Sequence, residues 1–362
     1  MDTGDPLSSR VVGRSYTYDD LGLEPAYSEI TPDQVDISVV LPAGQRLGVP
    51  VLSAAMDTVS GPALVAAVNR EGGLGVLHRN HEIADQVHAA QLVQNTSPPG
   101  WPVAAAVGVG PAGQWRAESL IQAGATVLII DSAHGHSAAV IEQTAWLRRT
   151  FPDITVVAGN VVTAVGARAL ADAGAHIIKT GIGAGSICST RVVAGVGIGN
   201  LTAIAAVAAT VDEYGALVCA DGGLRYSGDI VKALAAGADL VMLGRMLSGC
   251  DEAPGERVVR DGCTFKVYRG MGSAAAMATG QAADRYGSNN AHKTAPEGVS
   301  GFVQTEGPVT TVLSTIAGGI RAGLGYCGAA NIAQLQASAR FMELSPATQA
   351  EGRPHSLYIW DN

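Results

Sequence analysis

The chain has 362 residues, room for one (β/α) barrel with insertions or for two ordinary domains. Lys and Arg number 23 against 32 Asp and Glu, a net charge of −9, which argues against nonspecific attraction to nucleic acid or to an anionic membrane. Hydrophobic residues make up 47% and charged residues only 15%, so the chain can bury a large core, and its 46 glycines lack the three-residue period of collagen.

The N-terminal MDTGDPLSSR is acidic and polar and reads as no signal segment. Eight short apolar, β-branched runs follow in order, at residues 50–54, 74–78, 103–107, 127–131, 155–160, 176–180, 217–221 and 240–244. Their near-continuous apolarity, without alternation, marks strands buried on both faces of a parallel sheet. Between them lie Ala-rich stretches such as 164–173 and 228–236, which end in Ala-Gly-Ala with glycine supplying the helix stop. Eight βα units in series predict an α/β chain closed as a (β/α)8 TIM barrel, although periodicity alone also fits an open doubly wound sheet. Residues 95–102 (NTSPPGWP) read as a surface linker, and no second domain is evident. Ala-rich stretches such as 203–209 are too short and interrupted to span a bilayer. The five cysteines, 188, 219, 250, 263 and 327, are odd in number and show no CxxC spacing, which favours a reduced, cytoplasmic compartment.

Two segments break the rhythm. Some forty residues separate the sixth and seventh strands, and they hold GIGAGSICSTRVVAGVG at 181–197. Gly181, Gly183 and Gly185 let the backbone approach a bound group or present carbonyls to an ion. Cys188 follows directly, with hydroxyls at Ser186, Ser189 and Thr190, a setting that favours a thiolate nucleophile; a Gly-rich turn with a small buried cysteine fits the same letters. At the next strand ends stand Asp221-Gly222-Gly223 and Gly244-Arg245, a carboxylate for a ribose diol beside amides and a guanidinium for phosphate. Ordinary βα turn chemistry would also account for either motif by itself. The second break is the long polar segment 245–308, which contains YRGMGS at 268–273 and Asp284-Arg285-Tyr286. From YRGMGS to Gly298 the composition is polar and Gly/Asn-rich and suits a mobile flap or a surface insertion. His134 and His136 follow Asp131 at a strand end without completing a metal-ligand spacing.

Together these motifs resemble the IMP dehydrogenase/GMP reductase family from about residue 15 to residue 344. The resemblance is carried by SAAMDTV (53–59), GGLGVLHRN (72–80), DSAHGHS (131–137), GNVVT (159–163), the Cys188 loop, ADGGLRYSGDI (220–230), EAPGE (252–256), YRGMGS and PEGVSG (296–301). It implies a single catalytic barrel spanning residues 1–362, usually tetrameric, with a flap at about 272–298. The regulatory CBS pair that most bacterial members insert after the second barrel helix would be missing at about 95–102. Cys188 matches the nucleophile that attacks carbon 2 of the purine, Thr190 the hydroxyl that orients water, and Arg285 and Tyr286 the flap pair that enters once reduced cofactor has left. Ser53, Met56, Ser186, Asp221, Gly223, Gly244, Tyr268, Gly270, Met271, Gly272 and Glu297 match nucleotide-contacting positions, with Asp221 toward the ribose and Glu297 toward the purine edge. Asp131, Ser132, Asn160 and Gly181 match the NAD side. The carbonyls of Gly183, Gly185 and Cys188 match a K⁺ site completed by a neighbouring C-terminus, which Glu351, Gly352 and Arg353 resemble.

The length of the flap and its Asp-Arg-Tyr point to the dehydrogenase branch acting on IMP. Alternatives are reductase-type deamination of GMP or of a modified purine nucleotide, and a silent nucleotide-binding paralogue. The chain departs from the family pattern at Ala55 and Ala184, which replace prolines, at Gly199-Asn200 for Pro-Gln, and at Arg353 for a glycine. The largest departure is Arg245 in place of a phosphate-binding serine, and the expectation is that it pairs with the 5′-phosphate.

Overall fold

Eight parallel strands form one sheet in the computed structural model, which describes Leu7, residues 10–278 and residues 295–354. They are β1 (Val51–Ser53), β2 (Val76–Leu77), β3 (Val103–Val107), β4 (Ala125–Ile130), β5 (Thr155–Val161), β6 (Ile177–Thr180), β7 (Leu217–Asp221) and β8 (Leu240–Leu243). Each strand pairs with the next from β2 to β8, and β8 returns to β1 in the register Val241↔Val51 to Leu243↔Ser53. The circle closes where Leu52 bridges Leu74, the Ser53 amide donating to the Leu74 carbonyl at 3.1 Å. This is the (β/α)8 barrel that the eight apolar runs predict.

The strands are apolar along their length because both faces are covered. All five residues of β3 are buried, and so are Ile177 to Thr180 throughout β6. Outside lie α1 (Pro62–Arg70), α2 (Ile83–Thr96), α3 (Gly110–Gln122), α4 (Ala138–Thr150), α5 (Ala164–Asp172), α6 (Asn200–Val211), α7 (Ser227–Ala235) and α8 (Val309–Tyr326). Each presents an apolar stripe inward, as α1 does with Leu64, Val65 and Val68, all wholly buried. Only residues 97–102 separate α2 from β3, and Trp101 pins that loop by donating its indole N–H to the Gly73 carbonyl at 3.1 Å. Among the described residues, no helix is long and apolar enough to cross a membrane.

The segment after β8 is more ordered than its composition suggests. It holds a short helix, Arg245–Ser248, and an antiparallel three-stranded sheet of β9 (Arg257–Arg260), β10 (Cys263–Arg269) and β11 (Ser300–Gln304). A two-residue Asp261-Gly262 turn joins β9 to β10 with φ of 50° and 78°, the doubly positive geometry that suits hairpin strands. The sheet lies on both sides of the stretch read as a flap, and Lys266, Tyr268 and Val303 are its buried residues.

Lys266 on β10 anchors this sheet. It is 1% exposed, and its ammonium donates to the carbonyls of Cys250 (2.7 Å), Asp251 (3.2 Å) and Ala253 (2.5 Å). Lys266→Met would keep the stem and leave those carbonyls without their donor, so we expect a loss of about 2–4 kcal/mol in unfolding free energy. Urea denaturation checks this; an unchanged midpoint would mean the carbonyls find other donors.

Candidate active site

The C-terminal ends of the strands carry Asp131, Asn160, the cysteine loop, Asp221-Gly222-Gly223 and Gly244-Arg245, on loops free to vary in a barrel. β6 leads straight into the cysteine loop. Gly181 there has φ of 132°, and a Cβ at that position would run into the Asp221 carbonyl, so only glycine lets the loop pass against the end of β7. The loop is stitched to the second flank of the segment after β8: the Ser189 amide donates to the Glu297 carbonyl at 3.1 Å, and the Val299 amide to the Ile187 carbonyl at 2.9 Å.

All five cysteines are free thiols, and Cys188 is exposed at the site. Burial pushes the thiols of Cys219, Cys250 and Cys327 up, that of Cys250 to about 12, so these three are inert packing residues. Cys263 is exposed too, but it starts β10 on the hairpin and lines neither of the two cavities beside Cys188. The Cys188 Sγ lies 3.2 Å from the Thr190 hydroxyl, which donates to the Glu297 carboxylate at 3.0 Å. A thiol, a hydroxyl and a carboxylate thus stand in one line.

Cys188 borders two adjoining cavities. The larger, about 490 Å³, is lined by Met56, Ser186, Asp221 and Gly223, by Gly244, Arg245 and Tyr268, and by Gly270, Met271, Gly272 and Glu297. The smaller, about 210 Å³, is lined by Asp131, Ser132, Asn160, Lys179 and Gly181. Met56, Gly183, Gly185, Cys188, Asp221 and Met271 border both. The two expected sets thus line adjoining cavities and overlap at Met56, Asp221 and Met271.

Ser53 is the exception. It is wholly buried, accepts the Val76 amide at 2.9 Å and the Ser60 hydroxyl at 2.8 Å, and borders neither cavity. Its hydroxyl joins β1 to β2, so the expected nucleotide contact is corrected to a role in barrel closure. Glu351, Gly352 and Arg353 end the helix Pro346–Glu351, where their backbone bonds are local, Gly352 to Thr348 and Arg353 to Ala350. Arg285 and Tyr286 lie outside the described residues.

Three ion pairs that the sequence reading passed over shape the mouth. Lys179, 6% exposed, contacts the Asp221 carboxylate at 2.5 Å and the side-chain carbonyl of Asn160, while the Asn160 amide donates to Asp221 at 3.0 Å and to the Gly181 carbonyl at 2.6 Å. Arg79 donates to the Asp131 carbonyl at 3.1 Å, with its Nε 3.4 Å from the carboxylate. Asp57 receives a two-pronged contact from Arg269 at 2.6 and 3.2 Å and a bond from Asn80 at 3.1 Å. Burial would raise the Asp57 carboxyl, but the bonds from Arg269 and Asn80 outweigh it and hold it below the usual range. This pair ties the YRGMGS loop to the turn after β1.

On the lining of the larger cavity, burial pushes the Tyr268 phenol up to about 12, against the opposing pull of a Ser186 bond and the Arg245 charge. Tyr268 is therefore a neutral hydroxyl donor, and Gly244 packs against it. Arg245 lines the cavity but pairs with Glu306 at 2.8 Å.

A family model described as IMP dehydrogenase / GMP reductase domain matches residues 15–355. The chain is similar to the inosine-5′-monophosphate dehydrogenase of Streptococcus pyogenes, 37% identical over 479 aligned residues that cover 97% of each chain. It is similar also to the proteins of the same name from Aquifex aeolicus, 35% identical over 95% of this chain and 96% of that one, and Staphylococcus saprophyticus, 34% identical over the same shares.

Proposed function

The chain belongs to the IMP dehydrogenase/GMP reductase family, and on that premise we propose that it oxidises IMP to XMP with NAD. The observation that carries this reading is the position of Cys188, an exposed thiol where a cavity suited to a nucleotide meets one suited to a nicotinamide. The larger cavity offers what a nucleoside monophosphate needs: neutral donors and a guanidinium for a phosphate, the Asp221 carboxylate for a ribose, and Met271 and Glu297 for a purine. The smaller is edged by amide, hydroxyl, ammonium and carboxylate groups that fit a carboxamide-bearing ring.

Bound there, NAD supplies the acceptor for the hydride leaving carbon 2. The chain's own residues do the rest. The Cys188 thiolate adds to carbon 2, and departure of the hydride leaves a covalent thioimidate. The Thr190–Glu297 pair orients the thiol proton and then a water, which attacks carbon 2, breaks the C–S bond and releases XMP with the thiol regenerated. By the resemblance, Arg285 and Tyr286 assist this second half, and Ser132, Asn160 and Asp131 hold the nicotinamide.

We include a K⁺ ion in the proposal, since the carbonyls of Gly183, Gly185 and Cys188 are hard oxygen donors. The Glu351, Gly352 and Arg353 donors would come from a neighbouring chain of a homotetramer. The five free cysteines accord with a cytoplasmic setting. The alignment with the Streptococcus pyogenes relative exceeds this chain's length by over a hundred positions, as it would if a segment such as the CBS pair were missing here. We place that difference in the loop after α2 and read the whole chain as one catalytic barrel.

A spectrophotometric comparison tests the reading. IMP with NAD should generate NADH absorbance, stimulated by K⁺, while GMP with NADPH should give no consumption. The reverse result would make the protein a reductase, and neither signal despite IMP binding would leave a silent paralogue.

A further inference from the structure

The Arg245–Glu306 pair stands at the phosphate end of the larger cavity, and nothing in the proposed reaction uses Glu306. Its place is set by the backbone. The Glu306 amide donates to the Gly249 carbonyl at 2.9 Å, the Asp251 amide to Gly307 at 2.8 Å, and a Cβ on Gly249 would meet both the Gln304 carbonyl and the Glu306 stem. Arg245, in contrast, begins a four-residue helix; the residue is on the cavity lining, and its long side chain reaches the carboxylate. The two side chains are 38% and 37% exposed, so the pair is wet and weak, and its exchange for another anion is cheap. The Arg245 charge also acts on Tyr268, which lines the same cavity.

We propose that Glu306 is a built-in competitor for the phosphate-binding arginine, which leaves the carboxylate for the 5′-phosphate when nucleotide binds. This rests on the reading of the site as one for a nucleoside monophosphate. A carboxylate carries one negative charge and a phosphate monoester up to two, with three acceptor oxygens, so the exchange favours the phosphate. The singly charged competitor sets a threshold: a ligand must bring a phosphate to displace Glu306, and an unphosphorylated nucleoside cannot. Glu306 is thereby a specificity-determining residue that touches no ligand.

The sign of one measurement separates this from a structural clamp. Glu306→Gln removes the competitor, and the dissociation constant for IMP at low salt should fall by about two- to five-fold. Arg245→Ser should raise it and flatten its salt dependence, and in that background Glu306→Gln should have no effect on binding. A clamp predicts the opposite, since loosening Glu306 would disorder the phosphate loop and raise the constant. A rise, no change, or a fall that persists in the Arg245→Ser background would each overturn the proposal. Inorganic phosphate, read by its protection against heat denaturation, tests the same exchange without the purine. If the wild type takes phosphate with this Glu306 dependence but not IMP, the nucleotide reading fails and the exchange stands.

Discussion

Cys188→Ala is expected to abolish turnover of IMP while leaving IMP binding intact. The residues that make the nucleotide cavity, Asp221, Gly223, Gly244 and Tyr268 among them, keep their places without the thiol, because the loop is fixed by its backbone bonds to Glu297 and Val299. What is lost is the atom that bonds carbon 2. No other thiol replaces it, since burial raises the pKa of Cys219, Cys250 and Cys327 and keeps them protonated. Loss of a covalent nucleophile costs roughly 10⁴-fold or more in kcat. NADH absorbance reads the loss and calorimetry with IMP reads the retained affinity. Cys263→Ala, the other exposed thiol, should be indistinguishable from wild type in both. Appreciable turnover by Cys188→Ala would rule out the covalent mechanism.

The barrel was legible in the sequence because a strand covered on both faces has no polar alternation to confuse it with an edge, and all eight runs lie where the strands are. Less visible was the sheet after β8. Asp261-Gly262 is a strong hairpin signal, yet it sits in a polar stretch where the flanking strands, such as Arg257–Arg260, bury little and so look like loop. The candidate site was legible wherever a residue's neighbours in sequence define its work, as with the glycines around Cys188. It was hidden wherever the partner comes from another strand. Ser53 carries a motif hydroxyl, but that hydroxyl meets β2, 23 positions on. Arg245 stands out as unusual for the family, whereas its partner lies 61 positions away.

Lys179 was hidden for the opposite reason: it sits inside an apolar run and reads as part of a core strand. It is also the residue whose loss should be felt most widely. β5, β6 and β7 lie side by side with Gly159, Lys179 and Cys219 in register, so the Lys179 ammonium emerges between Asn160 and Asp221. It holds the group proposed for the ribose and the group proposed for the nicotinamide at once. Lys179→Met preserves the length but strands a carboxylate that is only 23% exposed, and breaking a buried pair on one side costs several kcal/mol. With part of the Asp221 charge still hydrated, we expect a loss of about 3 kcal/mol in stability. KM should rise for both IMP and NAD, because Asp221 and Asn160 lose their shared anchor. The double variant Lys179→Met with Asp221→Asn removes both charges, so its stability should recover in part while its activity does not. That divergence is the decisive readout. A residue that only filled space would lower the melting temperature without moving either KM, and a residue needed only for one ligand would move one of them.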